Sequence, residues 1–484
     1  MTLSGGGGDL KIIGSLQKEH MNPETVDDIL SKELQQLSFV TRTEINEEVH
    51  GVLCLAPEET PVLLQESLQQ LHQELSVLRQ FGKARAYGQA CQHAHSYVHA
   101  NDFRLRFLRA ELLDPIKAAV RMSLFLDLLL DFFGPIVLER PLRITDLTKQ
   151  EMDILREGDL QPLPFRDRSG RRVIVTVNQF TMQYPIDARL KASLYLHWAL
   201  SGDLESQRKG FVAIMCWSSK STPFPPSLPG PGDKAFSNSS KLFSAFPWRM
   251  CSLHMCFPDK PFFHLLRSGI FLVLGENRSR IRMHIGDSIE IQYNLSGYGI
   301  PSDQLPVTES GNVKTKNARQ WLRIRRALES AEVAGDDYKL MALNLIECPG
   351  SKDVVFRCGQ AYLSHPGNVM FRGLIEAMFQ EHNNALSSES KVNITWQIIE
   401  EVEHIGGRFL VWDDGWWKVM TDKQHIRSKV AIAFKDHKRR VKAMSNCQVT
   451  QSSTLKFQQQ DGRKRKRSDD AENDATACTQ FFCM

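Results

Sequence analysis

From Pro61 onward, Leu63, Leu64, Leu68, Leu71, Leu75 and Leu78 recur at helical spacing, so the pattern predicts an amphipathic helix. Pro at the first helical position, with acids just before it, suits a helix start. A second helix is predicted after Asn101, whose side chain is a good cap, and a third over Pro115 to Phe132 following Asp114. Gly134 and Pro135 stop the third. The period then changes. Arg172 to Val177 reads RVIVTV and Phe211 to Cys216 reads FVAIMC, short apolar runs that predict buried strands. Between them, Asp187 to Leu200 carries Leu190, Leu194, Tyr195, Trp198 and Ala199 in helical register. Strand, helix, strand predicts a crossover unit with some parallel sheet.

A Pro-rich loop is expected over residues 218–232. After it the pattern predicts a strand over Cys251 to Phe257, a helix over Pro261 to Leu274, a strand over Arg280 to His284 and a charged helix from Lys316 to about Glu332. The apolar pattern resumes near Glu347. Helices are predicted up to Phe379 and over Ser390 to His404, and IGGRFLVWDDGWWKV reads as two strands about the Asp414-Gly415 turn. A last helix runs from Asp422 to about Met444. The expected organisation is a flexible arm over 1–42, an α/β domain with a helical lead-in and mixed sheet over 43–340, a small α+β domain over 347–444, and a disordered basic tail over 445–484.

With 42% hydrophobic and 24% charged residues, the composition excludes wholesale disorder, collagen-like chains and disulfide scaffolds. The opening MTLSGGGGDL lacks the pattern of a signal peptide, so the ten cysteines are expected to be reduced. Apolar stretches such as Leu124 to Leu130 fall short of the roughly 18 residues of a membrane helix. A soluble intracellular protein without integral membrane association is expected. The net charge of +4 says little until it is located. From Lys435 to Arg467, eleven Lys or Arg stand against Asp436 and Asp461, and acids follow. This end is the natural place for a polyanion or an import receptor.

DFRLRFLRAELLDPIKAA, Asp102 to Ala119, is similar to the helical lead-in of the CRAL-TRIO lipid-transfer family. PFRDRSGRRVIV, Pro164 to Val175, looks like the same family's turn into its first strand. The resemblance implies an α/β domain with an apolar cavity for a lipid or other hydrophobic small molecule. Trp198, Phe211, Trp217, Phe262, Phe263 and Phe271 are the candidate walls, or else core filling. Arg104, Arg106 and Arg109 either form a solvated basic face or meet phospholipid head groups. Further on, SHPGNVMFRGLI at Ser364 to Ile375, GGRFL at Gly406 to Leu410 and WWKV at Trp416 to Val419 resemble an algal domain of unknown function with HPGN-x-x-FR, GGRFL and Trp motifs.

That second resemblance confers no activity. Read from its residues, His365-Pro366-Gly367-Asn368 is a turn whose Asn caps a helix beginning with Val369. The functional alternative is a nucleic-acid surface. Arg357, His365, Asn368, Arg372, Arg408, Trp416 and Lys418, with Lys438, Arg439 and Arg440, combine charge with stacking rings. Trp416 and Trp417 are adjacent, so on a strand they face opposite ways and one packs inward. The run Arg463, Lys464, Arg465, Lys466, Arg467 reads as a nuclear-import signal. No catalytic motif is present, and the spacing of Cys251, His254, Cys256 and His264 misses the usual zinc patterns. No catalytic residue, metal or cofactor is therefore assigned. The expected protein is a non-enzymatic, two-module chain in nucleus or cytoplasm. It couples hydrophobic-ligand binding to a C-terminal module for nucleic acid or a protein partner. The alternative is a regulatory scaffold with no bound ligand.

Overall fold

The computed structural model describes residues 37–461 apart from 94, 178–183, 218–240, 261–278, 336–344, 358–359 and 414–415. They fall into two compact units, residues 1–371 with 401–421 and residues 372–400 with 422–484. The chain is mixed α/β, with a helical N-terminal part, a mixed sheet and a second small α/β region. Outside the described residues lie most of the predicted arm, the Pro-rich loop 218–232, the helix predicted over Pro261 to Leu274, and residues 462–484 of the tail.

The first unit begins with helices α1 (Phe39–Val49), α2 (Pro61–Gln80), α3 (Asn101–Ala110), α4 (Pro115–Phe133) and α5 (Lys149–Glu157). Leu71, Leu75, Phe107, Phe125 and Leu126, all fully buried, share one core among them. Local chemistry sets the ends. Thr60 caps α2, with Pro61 at its first position. The Asp114 carboxylate accepts the backbone N–H groups of Ile116 and Lys117 at the head of α4. Asn101 is not a cap. The extended residue there is Ala100, so Asn101 is already the first helical residue.

The strands β1 (Leu160–Arg166), β2 (Arg172–Val177), β3 (Phe211–Cys216), β4 (Met250–Phe257) and β5 (Ile281–Ile285) form one sheet in sequence order. β1 is antiparallel to β2 and the remaining neighbours are parallel. Helix α6 (Ile186–Leu200) makes the β2 to β3 crossover. Alternation divides the sheet. Val173, Val175, Val212 and Ile214 share a cluster with Leu295, Ile300 and Leu305, the first from α7 (Ser288–Gly297), whereas Ile174 and Phe211 join the helical core. Sequence reasoning missed β1. Its Pro162 and Pro164 are tolerated because it is an edge strand. α1 is tied to this sheet by Glu48, 1% exposed, which is ion-paired with Arg249 and Arg280.

After α8 (Lys316–Ala334), a small sheet of order β6-β9-β8-β7 closes the unit, from β6 (Leu345–Ile346), β7 (Val354–Phe356), β8 (Phe409–Asp413) and β9 (Trp416–Val419). The antiparallel β8 and β9 are the predicted strand pair. Between β7 and β8 the chain forms α9 (Pro366–Ala377), α10 (Phe379–Asn384) and α11 (Ser388–His404). In the second unit α10 meets α12 (Lys423–Asp461), where His382 stacks on Phe434 at 4.0 Å and Phe379 meets His437 at 4.6 Å. Ile426, Val430 and Phe434 are the buried stripe of α12. That helix runs on to Asp461, past Met444, where the predicted helix ended and the predicted disordered tail began.

Candidate functional site

The histidine, proline, glycine and asparagine motif works as a clamp on a strand edge. Its helix begins at Pro366, so Asn368 sits inside the first turn and does not cap a helix starting at Val369. Proline at the first position is the favoured start, which explains the shift. Val354 donates its N–H to the Arg408 carbonyl at 2.8 Å, leaving the N–H and C=O of Val355 turned to the open edge of β7. The Asn368 amide takes both, accepting from the Val355 N–H at 2.8 Å and donating to its carbonyl at 2.9 Å. Gly367 makes the approach possible, since a Cβ there would lie 1.9 Å from the Asp353 carbonyl oxygen. His365 is 3% exposed, and burial pushes its pKa down to about 4.

The second motif closes on the same point. Gly406 has φ +82°, and a Cβ on Gly407 would stand 2.4 Å from the Lys352 carbonyl oxygen. The chain thereby delivers Arg408 to Asp353, which accepts from the Arg408 backbone N–H and Nε at 3.0 Å each and from Nη2 at 2.7 Å. This fork holds the Arg408 guanidinium above its ordinary range. Asp353, 2% exposed, thus organises the module. Sequence reasoning missed it, because a single acid before an apolar run carries no sign of a partner far along the chain.

The tryptophans divide as their alternation predicts. Trp417 is fully buried, donates Nε1–H to the Pro164 carbonyl at 2.9 Å and meets Phe165 edge-on at 5.5 Å. Trp416 is half-buried. Arg357 is exposed, its guanidinium 4.1 Å from the centre of the Trp412 ring, a cation–π contact. Lys418 is ion-paired with Asp413 at 2.7 Å. Of the candidate nucleic-acid residues in this unit, Asn368, Arg408 and Lys418 therefore already have protein partners.

In the second unit the surface differs. Lys438, Arg439 and Arg440 are exposed on α12. Lys435, Arg439 and Lys442, spaced i, i+4, i+7, lie on the face opposite Ile426, Val430 and Phe434. Lys438 donates to the Asn383 side chain at 2.9 Å and Arg439 pairs with Asp436 at 3.3 Å. Arg372 of α9 is brought close to Arg440. Burial and then the Arg440 charge lower the Arg372 pKa.

The candidate apolar walls are placed as follows. Trp198 donates Nε1–H to the Leu142 carbonyl at 3.1 Å and is packed with Phe103 and Phe125. Phe211 is fully buried against Trp248, and Trp217 stacks on Phe257 at 4.5 Å. Phe262, Phe263, Phe271 and Arg463 to Arg467 lie outside the described residues. The three arginines of α3 are taken up internally. Arg104 donates to the Val98 carbonyl at 3.2 Å, Arg106 to Ser201 at 3.1 Å, and Arg109 to Glu59 at 2.7 Å. Cys251 is fully buried, its thiol 3.3 Å from the Lys209 carbonyl. His254 is fully buried, with Nδ1 3.0 Å from His284 Nε2 and Nε2 3.1 Å from Ser252 Oγ. Among the described residues no group of His, Cys, Asp or Glu is arranged to hold a metal ion, and no helix is long and apolar enough to cross a membrane.

Residues 353–436 match a family described as Domain of unknown function (DUF6824). The match begins at Asp353 and takes in the Asn368 clamp, the Arg408 fork and the buried stripe of α12. The chain thus carries a domain of this unknown-function class at its C-terminal side. Nothing in the comparison supports the CRAL-TRIO resemblance of the N-terminal region. No curated protein matches the chain.

Proposed function

We propose that the protein is a non-enzymatic binding protein whose C-terminal module engages nucleic acid through the outer face of α12. The observation that carries this is the exposed row of Lys435, Arg439 and Lys442, flanked by Lys438 and Arg440, with Asp436 the one acid between Lys423 and Ala443. Such a row offers cations to a phosphate backbone, and contacts of this kind release counterions. An acidic protein partner is the alternative occupant.

The test is equilibrium binding of the full chain to duplex and single-stranded DNA over a salt series. Affinity is expected to fall steeply with salt for at least one of them. Binding that is absent, or independent of salt, overturns the reading. The basic run Arg463 to Arg467 fits nuclear import. A fluorescent fusion with all five changed to alanine is expected to leave the nucleus, and an unchanged distribution rejects import. The lipid-carrier reading of the first unit rests on the family resemblance. Its described candidates, Trp198, Phe211 and Trp217, are buried among other rings, so we propose the unit as an interaction scaffold ahead of a lipid carrier.

A further inference from the structure

A cleft of about 510 Å³ opens in the first unit, walled by Trp198 of α6, Arg172 of β2, Arg325 of α8 and Leu142, with Arg106 and Glu347 at its sides. Its electrostatics are unbalanced at one point. The Arg172 side chain is 3% exposed, yet its Nε and Nη2 have no hydrogen-bond partner among the described residues. The Glu347 carboxylate stands 3.7 Å away, outside hydrogen-bond reach. A guanidinium carries five donors in a fixed fork, and leaving them unmade in a buried place is costly.

Of the four acids that line the cleft, Glu332 acts on Arg106 and the other three are engaged elsewhere. Glu347 and Glu329 accept from Arg325 at 3.2 and 3.0 Å. Asp203 accepts from Arg166 at 2.5 Å, and Arg408 is held by Asp353. A second guanidinium is also underused. Arg106 stacks over the Trp198 ring at 4.2 Å and donates one bond to Ser201, but its Nε has no hydrogen-bond partner among the described residues. Burial lowers its pKa to about 10, although the charges of Asp102 and Glu332 act the other way.

We propose that this cleft binds a small ligand bearing an oxyanion, a carboxylate or a phosphate ester, held by the free donors of Arg172 and Arg106. Planar guanidinium forks match such oxygens in pairs. Trp198 and Leu142 supply an apolar wall for the rest of the ligand, while the Glu347 side accepts hydrogen bonds from its hydroxyl or amine groups. The site shares no residue with the α12 surface, so the two readings stand or fall apart.

The experiment follows thermal unfolding of the full chain in increasing inorganic phosphate and, separately, succinate, each against chloride at equal ionic strength. A saturable rise in the unfolding midpoint with either anion is expected, and the anion that gives it names the class. Arg172→Met is expected to abolish the rise while the variant stays folded, because an apolar side chain leaves no donor unmade. Lys435→Ala/Arg439→Ala/Lys442→Ala is expected to keep it. If Arg172→Met does not fold, Arg172→Lys keeps the charge without the fork and is expected to bind more weakly. No response to either anion overturns the proposal. So does a response that survives at full strength in the Arg172 variant, or one that only the α12 variant removes.

Discussion

Replacing Asn368 by alanine separates a structural motif from a ligand-contacting one. In the folded chain its amide satisfies both free backbone groups of Val355, which is 2% exposed. Alanine leaves a buried N–H and a buried C=O without partners at about 1–3 kcal/mol each, for a loss of about 2–6 kcal/mol. Against a total of about 5–15 kcal/mol for a typical native protein, that is a large share. Asn368→Asp sharpens the comparison. One carboxylate oxygen still accepts from the Val355 N–H, but the other faces the Val355 carbonyl, so the variant is expected to be destabilised at neutral pH despite its nearly identical shape. The assay is urea unfolding of the full chain, followed by tryptophan fluorescence. A midpoint for Asn368→Ala within about 0.5 kcal/mol of the parent refutes the clamp, above all if nucleic-acid affinity falls instead.

Gly367→Ala drives a Cβ into the Asp353 backbone and is expected to cost about 1–3 kcal/mol by overpacking, read as a lower urea midpoint. Trp417→Phe keeps an aromatic ring but loses the bond to Pro164, with an expected loss of about 1–3 kcal/mol from the unpaired carbonyl and the lost volume. Burial lowers the pKa of His365 and His284 to about 4 and holds that of His254 below its ordinary value. Each group binds fewer protons folded than unfolded, so its contribution is complete above about pH 6.5 and is lost as pH falls, toward about 4 for His365 and His284. His365 alone accounts for about 3 kcal/mol over that window. Urea midpoints at pH 7.5, 5.5 and 4.5 should fall in that order, less steeply for His365→Gln.

Strands buried on both faces were the most legible elements. RVIVTV and FVAIMC form β2 and β3 with the predicted ends, because full burial leaves an unbroken apolar run. β1 was hidden by Pro162 and Pro164, which a central strand excludes but an edge accepts. β6 and β7 are too short to show a period. At the site, alternation foretold that one of Trp416 and Trp417 packs inward. It could not foretell that Pro164 receives the indole, since that contact depends on where two remote strands meet. The same holds for Asp353 and Arg408. The arginine was legible as chemistry, but its partner is fixed only by the parallel pairing of β7 with β8.

The most direct test of the proposed function compares the parent chain with Lys435→Ala/Arg439→Ala/Lys442→Ala, by fluorescence anisotropy on labelled DNA at several salt concentrations. If these side chains meet phosphates, the slope of log affinity against log salt should become shallower by about 2–3, near 0.9 for each lost contact on duplex DNA, and the variant should unfold at the parent's urea midpoint because all three positions are exposed. An unchanged slope and affinity in that folded variant would contradict the account.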